Sequence, residues 1–167
     1  MSSPEQKEQI NRFADLRIRR AVMHDAPLVW QWANEPVTRA NSFNNKPIPW
    51  EVHQSWYAQK LASPDCRLWI MERGELPIGQ IRYDRIDADV AQISLSVAPQ
   101  MRGKGIGTLL LKMTFPMAAC DLRVKWVRGV ALSENKASQR AFEKASFTMA
   151  ERRLIDDCEC LVFQRRV

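Results

Sequence analysis

The stretch Gln92–Leu111, QISLSVAPQMRGKGIGTLLL, decides how the rest of the chain is read. Ile93, Leu95 and Val97 alternate with Gln92, Ser94 and Ser96, which is the period of two of a half-buried strand. Ala98-Pro99 closes it, because proline cannot donate to a sheet ladder. Apolar positions at Ile106, Leu109, Leu110 and Met113 then predict a helix. Between strand and helix lies Arg102-Gly103-Lys104-Gly105-Ile106-Gly107.

A loop of this kind suits an anion. The first turn of a helix has backbone N–H groups without partners, and the macrodipole adds partial positive charge there. Glycines let the backbone approach a phosphate with no Cβ in the way. Arg102 and Lys104 add full charge at the same mouth. Two nucleotide motifs do not fit. The P-loop requires Gly-Lys-Ser/Thr, whereas Gly107 is followed by Thr108-Leu109. The dinucleotide fingerprint G-x-G-x-x-G places its third glycine one residue later than Gly107, and it usually follows the first strand of a sheet.

The chain has 167 residues and is 46% hydrophobic, which suits one globular domain with one sizeable core. No apolar run approaches the roughly 20 residues of a membrane span, and the first residues lack a secretory leader. A cytoplasmic protein without membrane partners is expected. The net charge of +6 favours anionic ligands. The basic residues are scattered without a helix-turn-helix or RNA-binding signature, so nucleic acid is not expected. Cys66, Cys120, Cys158 and Cys160 stand with only His24 and His53. That set has no metal-ligand spacing, so reduced thiols and no metal are expected.

Residues 1–14 are polar and read as an extension to a single domain over 15–167. A first strand is predicted over 16–22. Asp25 is placed to cap a helix with Pro27 in its first turn. Pro36 interrupts that helix, and a short piece carrying Arg39 follows. A loop over 42–49 leads to a helix over 50–61. Strands over 67–72 and 78–84 form a hairpin across Gly74. After the glycine loop the helix runs to about Cys120, with a kink at Pro116. A strand over 125–132, a helix over 136–145 and strands over 147–154 and 159–166 complete the chain, the last two joined at Asp156-Asp157.

Arg102-x-x-Gly105-x-Gly107 resembles the acetyl-CoA pyrophosphate loop of the GNAT acetyltransferase superfamily. The later run Asn135-Lys136-Ala137-Ser138-Gln139-Arg140-Ala141-Phe142-Glu143-Lys144-Ala145-Ser146-Phe147 resembles the second signature of that superfamily. The resemblance spans about Leu16 to Val167. It implies an α/β (α+β) fold with a mixed central sheet of about seven strands and helices on both faces. It also implies that the central strand and the 125–132 strand splay around the cofactor. Acetyl-CoA is the implied cosubstrate. Its implied contacts are Leu95 and Val97 through their backbones, Arg102, Gly103, Lys104, Gly105, Ile106, Gly107, Thr108, Asn135, Ser138 and Phe142.

Acetyl transfer to an amine needs an uncharged nucleophile, a polarised carbonyl and a proton for the leaving thiolate. Many members of the superfamily keep a Glu near the position of Gln92, and glutamine cannot act as a base. Glu134 and Asp84 are the candidate bases. The thiolate-protonating Tyr of the superfamily corresponds to Phe142, which has no proton to give. Water or another donor is then required, and Phe142→Tyr is expected to be tolerated where the hydroxyl fits.

Trp30-x-Trp32-x-Asn34-x-Pro36-x-x-Arg39, Ser42-Phe43, His53-x-x-Trp56 and Gly79-Gln80-x-Arg82-x-Asp84 are similar to the sugar-nucleotide N-acetyltransferases of the pseudaminic acid pathway. That similarity implies a UDP-4-amino-4,6-dideoxy sugar as acceptor, with Arg39, His53, Gln80 and Arg82 as substrate-binding residues. A homodimer is a separate expectation, and the sequence leaves the oligomeric state open. Two other readings stand beside it. One is a protein N-terminal acetyltransferase of the ribosomal-protein type. The other is a non-catalytic acyl-CoA-binding module, kept alive by Gln92 and Phe142.

Overall fold

Alternating strands and helices assemble into one seven-stranded sheet covered by helices on both faces. The structure is a computed structural model that describes residues 15–167, so the expected extension over 1–14 lies outside the described residues. The strands are β1 (Leu16–Arg20), β2 (Cys66–Arg73), β3 (Leu76–Arg85), β4 (Val90–Val97), β5 (Trp126–Leu132), β6 (Thr148–Ile155) and β7 (Cys158–Arg166), in the spatial order β1-β2-β3-β4-β5-β7-β6. The α-helices are α1 (Ala26–Asn34), α2 (Pro36–Ala40), α3 (Trp50–Ala62), α4 (Ile106–Leu122) and α5 (Lys136–Lys144). Among the described residues no helix is long and apolar enough to cross a membrane.

β4 and β5 run parallel, and a parallel pair needs a crossover longer than a tight turn. Helix α4 supplies it. The remaining ladders are antiparallel, so the sheet is mixed, as the resemblance implies. Strand alternation divides the side chains between two faces. On one face Met71, Ile81, Tyr83, Ile93 and Val127 pack with Leu110, Leu111, Phe115, Leu122 and Phe142 from α4 and α5. The Tyr83 hydroxyl is satisfied at 2.8 Å by Thr114 Oγ1. On the other face Leu68 and Ile70 pack with Ala26, Val29 and Tyr57 from α1 and α3. Each such side chain fully buried contributes about 1.5–3 kcal/mol.

Three local expectations change. β1 ends at Arg20 rather than at Val22, although Ala21 still donates its N–H to Leu68 O at 3.0 Å. Asp25 precedes α1 without a side-chain cap. Its carboxylate instead accepts two hydrogen bonds from Arg19, both 2.7 Å, and one from Val22 N at 2.9 Å. A guanidinium is the stronger partner for a carboxylate and holds it away from the helix end. Helix α4 continues through Pro116 to Leu122 and stops at Arg123, whose φ of 53° is left-handed.

Candidate active site

The centre of the molecule is a gap in the sheet. β4 pairs with β5 only over Val90–Ile93 against Trp126–Gly129. Beyond Ile93 the two strands separate, and Ser94 to Val97 become half-buried. Ala98 N donates to Ile78 O at 2.9 Å. Backbone direction alternates along an antiparallel ladder, so Ser94 and Ser96 also address β3. Leu95 and Val97 therefore turn their N–H and C=O groups towards the gap. On the far side, Ser133 N donates to Glu159 O at 2.9 Å, and the same alternation turns Val130 towards β4. Gln139 Nε2 caps Leu132 O at 3.0 Å and Ser133 O at 2.8 Å. The gap is thus lined by the unpaired backbone groups of Leu95 and Val97 and by the Val130 carbonyl, the Val130 N–H being taken up by Ile93 in the last step of the ladder.

The glycine loop stands at the mouth of this gap. Gly105 is the N-cap of α4 in the left-handed region, φ 81° and ψ 4°, where only glycine rests without strain. A Cβ at Gly105 would meet nothing within 4 Å, so the loop backbone is open to a ligand. Gly107, in the first turn, lies against Leu95, Val97 and Ala141. That contact puts the amino end of α4 directly over the separating strands. The Ile106, Gly107 and Thr108 amides belong to the first turn, which has no side-chain cap, and such amides attract phosphate.

The loop's two cations are placed differently. Lys104 is exposed and donates to Gln100 O at 2.9 Å. Arg102 turns away towards α2, donating to Glu35 Oε2 at 2.6 Å and Thr38 Oγ1 at 3.1 Å. The Arg102 hydrogen bond holds the Glu35 carboxyl below its usual range. Arg102 therefore ties the glycine loop to α2 and the residue before it. Glu35 had no role in the sequence reading. The available signal was its place just before Pro36, since proline suits the first position of a helix; as the cap residue it accepts from Thr38 N at 3.2 Å.

In α5, Asn135 Oδ1 accepts from Ser138 N at 3.1 Å, a helix cap that fixes both residues. Phe142 is 4% exposed. Its ring stacks on Phe163 with centroids 5.3 Å apart and meets Phe147 edge-on at 5.4 Å. A Cβ on Gly129 would fall inside that ring, with Cζ its nearest atom. Gly129 is the last β5 residue paired to β4, so the Phe142 ring tip plugs the floor of the gap from the core side.

The residues expected to bind an acceptor lie across the sheet. Gln80 is buried and donates to Ser96 Oγ at 3.1 Å. Arg82 binds Asp84 at 2.6 Å and lies 4.7 Å over the Trp56 ring. Burial works to raise the Asp84 carboxyl, but Arg82 and Lys60 (2.8 Å) overcome it and hold it below the ordinary range. Asp84 stands opposite Gln92, about 10 Å along the strand from Leu95 at roughly 3.3 Å per residue. Glu134 lies two residues past the end of β5, exposed and without an ion pair among the described residues. The two acids therefore bracket the gap from opposite ends and do not converge.

Arg39 and His53 are not brought to this site as free groups. Arg39 donates to the backbone oxygens of Ala33, Asn44 (3.0 Å) and Lys46 (3.4 Å) and to Ser42 Oγ (3.2 Å). It holds the 42–49 loop, which Trp30 Nε1 and Asn34 Nδ2 also hold through Ile48 O. His53 is 2% exposed, set among Trp50, Trp56 and Tyr57. Burial lowers its pKa, against the hydrogen bond from Nε2 to Ala26 O at 3.0 Å. Among the described residues no group of three or more His, Cys, Asp or Glu could hold a metal.

Comparison with known proteins agrees with this geometry. Residues 15–148 match the family described as Acetyltransferase (GNAT) domain. No curated protein sequence matches the chain. Among solved structures, a spermidine N-acetyltransferase from Vibrio cholerae in complex with CoA and spermine superposes with a TM-score of 0.81 at 15% identity, covering 92% of this chain and 96% of that one. A putative acetyltransferase from Salmonella typhimurium with its cofactor acetyl-CoA gives 0.78 at 18% identity over 91% and 94%. An aminoglycoside acetyltransferase in complex with coenzyme A gives 0.77 at 19% identity over 90% and 94%. The split sheet, the glycine loop over it and the family match together make this chain a member of the GNAT family, an acetyl-CoA-dependent N-acetyltransferase.

Proposed function

We propose that the acceptor is the amino group of a nucleotide-linked amino sugar of the UDP-4-amino-4,6-dideoxy type. The observation that carries it is the chemistry of the sheet face beside the gap. Gln80, Gln92, Ser94 and Ser96 offer amides and hydroxyls there. Of the acids near it, Asp84 and Glu35 are already neutralised by Lys60, Arg82 and Arg102, which leaves Glu134 as a single carboxylate without an ion pair among the described residues. Amides and hydroxyls match sugar hydroxyls, whereas a polycationic amine requires unpaired carboxylates.

In this reading acetyl-CoA supplies the acetyl group as a thioester. The first-turn amides of α4, with Lys104, hold its pyrophosphate. The Leu95, Val97 and Val130 backbones hold its pantetheine arm as a surrogate strand. The remaining loop and signature contacts, Gly103, Asn135 and Ser138, shape the walls. Glu134 serves as base through water, since Asp84 is committed to two cations. Arg39 acts on the acceptor indirectly, by shaping the 42–49 loop.

The test is steady-state turnover of acetyl-CoA with a UDP-4-amino-4,6-dideoxyhexose, a ribosomal-protein amino-terminal peptide, spermidine and kanamycin. The nucleotide sugar should give the highest kcat/KM. Glu134→Gln should lower kcat and leave the acetyl-CoA KM in place. Turnover of the peptide but of no nucleotide sugar would transfer the chain to protein acetylation, and no turnover of any amine would leave an acyl-CoA-binding module.

A further inference from the structure

Arg128 is the charged side chain of the site that the reading above does not use. It stands opposite Gln92 of β4 and Gln164 of β7, one residue before the last β4–β5 pair. Strand alternation places it on the face opposite Val127 and Gly129, hence away from Phe142 and with Gln92, Ser94 and Asp84. The residue is half-buried, and its Nε is buried with no hydrogen-bond partner. Among the described residues it makes no ion pair. The groups that share its face are uncharged or already committed. Gln92 and Gln164 are amides, Asp84 is held by Lys60 and Arg82, and Glu151 lies 3.5 Å from Arg153.

A buried donor without a partner costs free energy. Such a group persists where something outside the chain completes it. The planar fork of arginine matches an oxyanion that presents two oxygens. We propose that Arg128 binds an anionic oxygen group of the acceptor, so that the substrate is an amine carrying a phosphate or carboxylate rather than a polycation. The inference rests on the acceptor face described under the proposed function and narrows it, the diphosphate of a nucleotide sugar being one such group.

The experiment compares wild type, Arg128→Gln and Arg128→Lys on four acceptors. They are the UDP-4-amino-4,6-dideoxyhexose, the same amino sugar without its nucleotide, L-glutamate and spermidine. Acetyl-CoA KM and melting temperature are measured in parallel. The wild type should prefer an anionic amine. Arg128→Gln should lose about tenfold to hundredfold in kcat/KM for it, with acetyl-CoA KM unchanged. Arg128→Lys should fall between. The melting temperature of Arg128→Gln should not fall, because a buried donor without a partner has been removed. Turnover of glutamate but not of the nucleotide sugar would refute the sugar reading and support the role of Arg128. The proposal is overturned if Arg128→Gln keeps full activity on the anionic acceptor. It is also overturned if the wild type prefers spermidine or the nucleotide-free sugar, or if the variant loses stability and activity on every acceptor alike.

Discussion

Phe142 illustrates how little room a single position can leave. The sequence reading allowed Phe142→Tyr wherever a hydroxyl fits. The ring tip, however, rests on the backbone of Gly129, and its sides are closed by Phe147 and Phe163. An added oxygen at Cζ meets the strand directly. Phe142→Tyr should therefore destabilise the fold by about 1–3 kcal/mol, as overpacking does, and activity should fall with it. Urea unfolding beside kinetics decides this. A tyrosine enzyme as stable as wild type and faster would show that the slot admits the phenol.

The same scale shows where the sequence ceased to inform. The loop glycines were legible because a left-handed backbone between a strand and a helix has few residue solutions. His53 and Arg39 were not, because residue type does not say which way a helix turns. The spacing of His53 and Tyr57, four apart, was the signal that both face inward, and both are buried. Arg39 precedes a loop whose carbonyls need donors, and burial lowers its pKa without removing its charge at neutral pH. Arg128 was missed although alternation in Trp126-Val127-Arg128-Gly129 sets it apart from the core face.

Among the elements, β1 is held to its neighbours by a charged cluster as well as a ladder. Glu72 on β2 accepts from Arg17 and Arg19, both at 2.6 Å, and Arg19 also grips Asp25 ahead of α1. Burial works to raise both carboxyls, and the arginines overcome it and hold both below their ordinary values of 4.5 and 3.8. A carboxyl depressed in the folded state adds stability that is present above its unfolded value and is lost as pH falls through the folded one. Stability should therefore be flat near neutrality and decline below about pH 4.5. The decline should be shallower in Glu72→Gln. Urea midpoints from pH 7 to pH 3 measure it, and equal slopes in the two proteins would remove Glu72 from the explanation.

At the scale of the molecule, element order was legible apart from α2, read only as a short piece after Pro36, since hydrophobic period and glycine or proline punctuation carry it. The hairpin across Gly74 and the turn at Asp156-Asp157 appear where expected. The parting of β4 from β5 was not legible from periodicity. Ser94 to Val97 alternate just as the paired residues before them do, and only the superfamily resemblance supplied the splay.

That parting has a kinetic consequence. The four strands β1 to β4 and the three strands β5, β7 and β6 share only the four residue pairs of the β4–β5 ladder. The two groups should open as separate cooperative units in amide hydrogen exchange. Without ligand, the Leu95 and Val97 amides should exchange well ahead of Ile81 and Tyr83 in the middle of β3. Acetyl-CoA lying in the gap should slow those two together, and the slowing should vanish in Gly105→Val if the loop holds the pyrophosphate. A cofactor that protects only the loop over 102–108 would mean that the pantetheine arm does not lie between the strands. If both amides slow, the cofactor is acting as the molecule's missing strand, and its departure after each turnover briefly loosens the seam between the two halves.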